Sequence, residues 1–81
     1  MRLPRDVSGR DLARRLRRYG YEQSRQTGSH MRLTRKLEAQ VHHVTVPDHD
    51  ELRIGTLRAI LGDVATELRV ELDVLVEALF G

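Results

Sequence analysis

The sequence predicts an α+β fold in the order α-β-β-β-α with a further C-terminal helix: a three-stranded antiparallel sheet with its helices on one face. Three observations predict it. Ser8-Gly9-Arg10-Asp11, followed by Leu12, Ala13 and Leu16, carries the cap and apolar stripe of a short amphipathic helix. Between Tyr21 and Val46, runs rich in strand formers are broken at Gly28-Ser29 and again between Lys36 and Gln40, which reads as two hairpins. From Leu57 onward, apolar residues recur at the i, i+3, i+4, i+7 spacing of a helix packed on a sheet. Strands and helices segregated in this way make an α+β fold.

Taken in order, Ser8 opens the first helix. Ser8 and Asp11 fit a capping box with Asp in place of Glu, and Val7 with Leu12 fits the hydrophobic staple around it. The helix is expected over Gly9–Tyr19, with Leu12, Ala13, Leu16 and Tyr19 inward and Gly20 closing it. Arg14, Arg15, Arg17 and Arg18 form a basic face. The strands are expected over Tyr21–Gln26, His30–Arg35 and Val41–Val46. Alternation puts Met31 and Leu33 on one face of the second strand and His30, Arg32 and Thr34 on the other. In the third strand Val44 and Val46 face the core, with His42 at the edge of that face and His43 and Thr45 opposite. Pro47 ends the sheet, and a second helix begins near Gly55-Thr56, where Thr56 can satisfy open amides at an end that favours anions. The apolar rhythm from Leu57 to Leu79 keeps phase over 23 residues, roughly 35 Å if unbroken. The pattern permits one helix or two. A break near Arg69-Val70 is expected, with Leu72, Leu75 and Leu79 folding back on the core.

Composition narrows the function. The chain is expected to be one small domain over residues 1–81, with a helical extension from about residue 70. It has no cysteine, so neither disulfides nor thiolate metal ligands are expected. The absence of a long apolar run or a signal-like start suggests a soluble cytoplasmic protein. The net charge of +2 hides a division. Residues 1–36 hold 11 Arg/Lys against 3 Asp/Glu, a balance of +8, and residues 37–81 hold 3 against 9, a balance of −6. Such one-sided charge is a footprint of polyanion binding. Of the 14 basic residues 13 are Arg, which suits forked phosphate contacts. Only three aromatics, Tyr19, Tyr21 and Phe80, argue for backbone recognition over base stacking. No metal and no cofactor are expected. His42 and His43 are adjacent on a strand and point to opposite faces, where they cannot easily share an ion.

Gln26-Thr27-Gly28-Ser29-His30 is the stretch with chemistry in it. Gly28 supplies a positive φ for the turn, and His30 starts the outgoing strand on a rigid element. An imidazole is the one side chain whose ordinary pKa, about 6.5, lets it give and take protons near neutrality. Together with Val7-Ser8-Gly9, Gly20-Tyr21, Val44-Thr45-Val46-Pro47 and Gly55-Thr56-Leu57-Arg58-Ala59-Ile60-Leu61, this stretch resembles the HicA-type toxins, small ribonuclease partners of bacterial toxin–antitoxin pairs. The pieces occur in that family's order and spacing and cover nearly the whole chain. Met31 follows the histidine where many members carry a second His or an apolar residue with an aromatic nearby. Arg69 stands near the place where relatives with a long C-terminus break the last helix at a Gly.

The resemblance implies a double-stranded-RNA-binding-domain-like fold, a catalytic histidine at His30 and a HicB-type antitoxin that covers the active surface. It implies a metal-independent endoribonuclease cutting mRNA, an mRNA interferase of the bacterial stress response. His30 then acts as general base on the ribose 2′-OH or general acid on the leaving oxygen, and Arg25 and Arg32 offset the charge building on phosphorus. RNA is expected along Arg14, Arg18, Arg25, Gly28, Ser29, Arg32 and Thr56, with His43 a possible second acid–base group. The chain is expected as a monomer or as a heteromer with its antitoxin. Two other classes remain open: a non-catalytic RNA-binding module of the same fold, which has no use for His30, and a protein-interaction subunit docking through its acidic half.

Overall fold

A computed structural model describes residues 2–81. The elements are α1 (Gly9–Leu16), a single 3₁₀ turn (Arg17–Tyr19), β1 (Tyr21–Thr27), β2 (His30–Leu37), β3 (Gln40–Pro47), α2 (Ile54–Leu68) and α3 (Leu72–Phe80). The strands pair in the order β1-β2-β3, antiparallel throughout. The α+β class, the antiparallel order and the break at Arg69 are as the sequence predicts.

One face of the sheet is apolar, and the helices cover it. Tyr21, Met31, Leu33, Val44 and Val46 are buried there against Leu12 and Leu16 of α1, Leu57, Ile60, Leu61 and Val64 of α2, and Leu75, Val76 and Leu79 of α3. Tyr21 is fully buried, a core role that its place at a strand start does not announce.

Ser8 caps α1 as expected, its Oγ accepting from the Asp11 N–H at 3.0 Å. The return half of the capping box is not made, because the Asp11 carboxylate turns to Arg15 Nε at 2.9 Å and to Arg14. Burial pushes that carboxyl's pKa up, but hydrogen bonds from Arg15 and Arg14 and their charges outweigh it, and the group titrates below its ordinary value. The helix tightens into the 3₁₀ turn three residues before its expected end, and Gly20 closes it at φ +89°.

Gly9 stands in a place no other residue fits. A Cβ there would collide with the Pro47 carbonyl at the end of β3. This close approach lets the Gly9 N–H donate to the His49 carbonyl at 2.9 Å, while the Leu52 N–H donates to the Val7 carbonyl at 2.8 Å.

The second hairpin is tighter than its sequence indicates. The expected Lys36–Gln40 connection shrinks to the two residues Glu38-Ala39, with Leu37 paired to Gln40. Glu38 takes φ +54° without glycine's help. The start of α2 also departs from expectation. The helix begins at Ile54, Arg53 stands at the cap position without a side-chain bond, and Thr56 lies inside the first turn instead of capping it. At the far end Arg69 adopts φ +59°, ψ +44°, its N–H reaching the Thr66 carbonyl and the Val70 N–H that of Ala65, the paired bonds of a Schellman motif. That residue alone ends α2. Leu75, Val76 and Leu79 are then buried on the core, and Leu72 is partly so.

Two stability measurements check this account. A side chain in the left-handed region costs about 1–2 kcal/mol, so Arg69→Gly should stabilise the fold by about 0.5–1 kcal/mol in denaturant unfolding; an unchanged midpoint would mean that Arg69 carries no strain. Gly9→Ala should lose about 1–3 kcal/mol, the usual penalty for forcing atoms into a filled space. A neutral alanine would show that α1 and β3 separate easily.

Candidate functional site

The face of the sheet away from the helices carries the polar and charged side chains. Register sets them in rows across the strands. At the end nearest the first turn, Thr27, His30 and Pro47 lie side by side; next come Arg25, Arg32 and Thr45; then Glu22, Thr34 and His43. Successive rows are two residues apart, about 6–7 Å along the strand.

His30 owes its position to a two-residue turn. Gly28 has φ +57° and Ser29 a negative φ, the sign pattern of a type II′ turn. The turn is held from behind: the Asp48 N–H donates to the Ser29 carbonyl at 2.6 Å, and the Gln26 amide reaches the Gly28 carbonyl at 3.3 Å and the Asp48 carboxylate at 3.1 Å. The His30 ring itself is exposed and has no hydrogen-bond partner among the described residues. It is free to meet a ligand.

Strict alternation from Tyr21 would turn Arg25 toward the helices. A β-bulge at Ser24, where the register slips between Gln23 and Arg25, moves Arg25 to the open face opposite Arg32. Like charges directly opposite repel, and neither guanidinium has an ion-pair partner among the described residues. An anion lying between them is the natural complement.

The same bulge brings Ser24 into a chain of hydroxyls. Its Oγ lies 3.3 Å from the Arg32 carbonyl and 2.6 Å from Thr34 Oγ1, which lies 2.8 Å from His43 Nδ1. Thr34 is buried on a face otherwise open to solvent. His43 titrates below its ordinary value, through loss of hydration and the positive charges of Arg32, His42 and Lys36.

The expected binding residues thus divide. Arg25 and Arg32 join His30 on the open face, with Gly28 and Ser29 in the turn beside it. Arg14, Arg18 and Thr56 belong to the helical layer on the other side. Arg14 pairs with Asp11, and Arg18 donates to the Ala78 carbonyl. Arg15 donates to the Leu79 carbonyl at 2.6 Å and lies over the Phe80 ring, 4.8 Å from its centroid. The basic face of α1 is therefore partly an internal clamp on the end of α3. His42 also works inside the fold, its Nδ1 2.7 Å from the Tyr21 hydroxyl and its Nε2 3.2 Å from Asp63. Burial pushes the Tyr21 phenol up to about 12, so it keeps its proton at neutral pH. Among the described residues no three His, Cys, Asp or Glu side chains converge to hold a metal ion, and no helix is long and apolar enough to cross a membrane.

A family model described as "HicA toxin of bacterial toxin-antitoxin" matches residues 9–65. That span runs from the first residue of α1 into α2 and includes the whole sheet, leaving α3 outside. No curated protein and no solved structure matches the chain.

Relieving the repulsion between Arg25 and Arg32 should show in stability. Arg25→Gln is expected to raise it by a few tenths of a kcal/mol, in the range of cross-strand pair effects of about 0.2–1 kcal/mol. Inorganic phosphate at fixed ionic strength should stabilise the parent more than the variant in thermal melts. Equal shifts would place the anion elsewhere.

Proposed function

Because the chain belongs to the HicA toxin family, the toxin side of a bacterial toxin–antitoxin pair, we propose that it is a metal-independent endoribonuclease that cleaves mRNA on the open face of its sheet, with His30 as an acid–base group and a HicB-type antitoxin as its inhibitor. The observation that carries this reading is the neighbourhood of His30: an exposed imidazole fixed at a strand start, one row from two unpaired arginines.

In that reading the RNA backbone crosses the open face. A phosphate between Arg25 and Arg32 is held by forked contacts that strengthen as charge builds on its oxygens. The neighbouring 2′-oxygen attacks phosphorus, the P–O5′ bond breaks, and the products are a 2′,3′-cyclic phosphate and a 5′-hydroxyl. One proton leaves the 2′-OH and one arrives at the 5′-oxygen, and His30 handles one of these transfers. The reaction needs the 2′-OH, so DNA is not cut. Gly28 and Ser29 offer backbone at the turn beside the scissile linkage. Arg14, Arg18 and Thr56 lie behind the sheet, and the arginines contribute through the field of the basic half instead of by contact.

His30→Ala tests the assignment. An exposed residue with no partner should change stability by no more than about 0.5 kcal/mol, and loss of acid–base help should slow RNA cleavage in EDTA by about 10²–10⁴-fold. RNA binding should survive and weaken steeply with salt, as counterion release requires. A variant that cuts as fast as the parent would remove His30 from the chemistry. A parent that binds RNA without cutting it would make the chain a binding module, and one that does neither would leave a protein-interaction subunit.

A further inference from the structure

The second acid–base group, which cleavage by proton transfer at two oxygens calls for, is written in the direction of one hydrogen-bond chain. Ser24 Oγ carries a single proton and lies 3.3 Å from the Arg32 carbonyl, which can only accept. When that proton is given there, Ser24 accepts at 2.6 Å from Thr34 Oγ1. The Thr34 proton is then committed, so Thr34 must accept at 2.8 Å from His43. That direction of the chain, which the inference below requires, puts the hydrogen of neutral His43 on Nδ1. Nε2 then carries the lone pair, on an exposed ring on the same face as His30.

Register places this base relative to the rest. His43 is paired with Thr34, four residues along β2 from His30, about 13 Å at the usual rise of a strand. The two rings cannot serve the same atom. They bracket the Arg25–Arg32 row instead, each offset from it by two residues, and side chains on a sheet stand over it and lean along the strand. An in-line displacement needs its base and its acid on opposite sides of the phosphorus.

Building on the ribonuclease reading above, we infer that His43 is the general base that takes the 2′-OH proton, that His30 is the general acid that gives one to the departing 5′-oxygen, and that Ser24 and Thr34 are positioning residues that hold His43 in the tautomer the base requires. The O2′–P bond forms as P–O5′ breaks, and the enzyme ends with the proton moved from His30 to His43. Exchange with water restores both. The surroundings of His43 suit the role: Arg32 and Lys36 on β2 and His42 beside it on β3 disfavour a cationic ring, and Glu22, the carboxylate of the same row, lies across β2 on β1. No helix packs on this face to add another charged group.

Two measurements test the inference. Nitrogen-15 NMR of the imidazoles in the intact parent protein reads the tautomer without reference to activity. Protonation at Nδ1 of neutral His43 is expected, and a dominant Nε2–H form would overturn the chain of donors. Steady-state cleavage of a short RNA in EDTA, across pH, reads the roles. The parent rate should rise as the base loses its proton and fall as the acid loses its own. His43→Gln should lower the maximal rate by about 10²–10⁴-fold and abolish the rising limb, with RNA affinity and the unfolding midpoint unchanged. His30→Ala should abolish the falling limb. If the parent cleaves and His43→Gln cleaves equally fast, the inference falls while the ribonuclease reading stands. If the parent leaves RNA intact, that reading falls and takes this one with it.

Discussion

The first turn of α1 meets the end of β3 with nothing but hydrogen on Gly9 facing the Pro47 carbonyl. Around that contact, backbone bonds join three segments distant in sequence. Gly9 donates to His49, Leu52 donates to Val7, and Asp48 donates to Ser29. The last bond reaches the residue immediately before His30. A helix on one side of the sheet thereby fixes the turn that aims a ring on the other. Backbone groups do this without long side chains, so little conformational freedom is left at the position where precise aim matters.

The two faces of the sheet answer to different physics. On the helical face apolar burial dominates, and its few polar groups are paired, as in the links from Tyr21 through His42 to Asp63. On the open face two arginines oppose each other and a ring stands with no partner, arrangements that do not help the fold. Local conflict of this kind, in a structure otherwise consistent, is where function is to be sought. The bulge at Ser24 supplies both the second arginine and the far end of the hydroxyl chain, so one extra residue in one strand builds two parts of the surface.

Much of this was legible in the chain. Alternation in β2 separates Met31 and Leu33 from His30, Arg32 and Thr34, and the structure separates them the same way, because a two-residue period leaves no freedom once one face is buried. The turn at Gly28-Ser29 announces itself through glycine. The Glu38-Ala39 turn does not, since strand pairing there imposes a backbone its residues would not choose. The bulge is invisible to periodicity, which assumes an unbroken ladder, and the Ser24–Thr34–His43 chain was hidden with it. Arg15 and Arg18 look like surface charge until α3 folds back against them, a contact across some sixty positions that no local pattern reveals. The expected cap at Thr56 fails because the helix starts two residues earlier, at Ile54, with Arg53 in the cap position.

That clamp bears on the field the molecule presents to solvent. The carbonyl end of a helix carries the negative pole of its dipole, and α3 delivers this pole to Arg15 and Arg18. An appended helix lying beyond the family span therefore acts as an electrostatic shutter. It offsets two of the positive charges on the helical side, whereas the Arg25–Arg32 row of the sheet has no such partner among the described residues. In the proposed reading, this favours the approach of a polyanion from the side that carries the histidines.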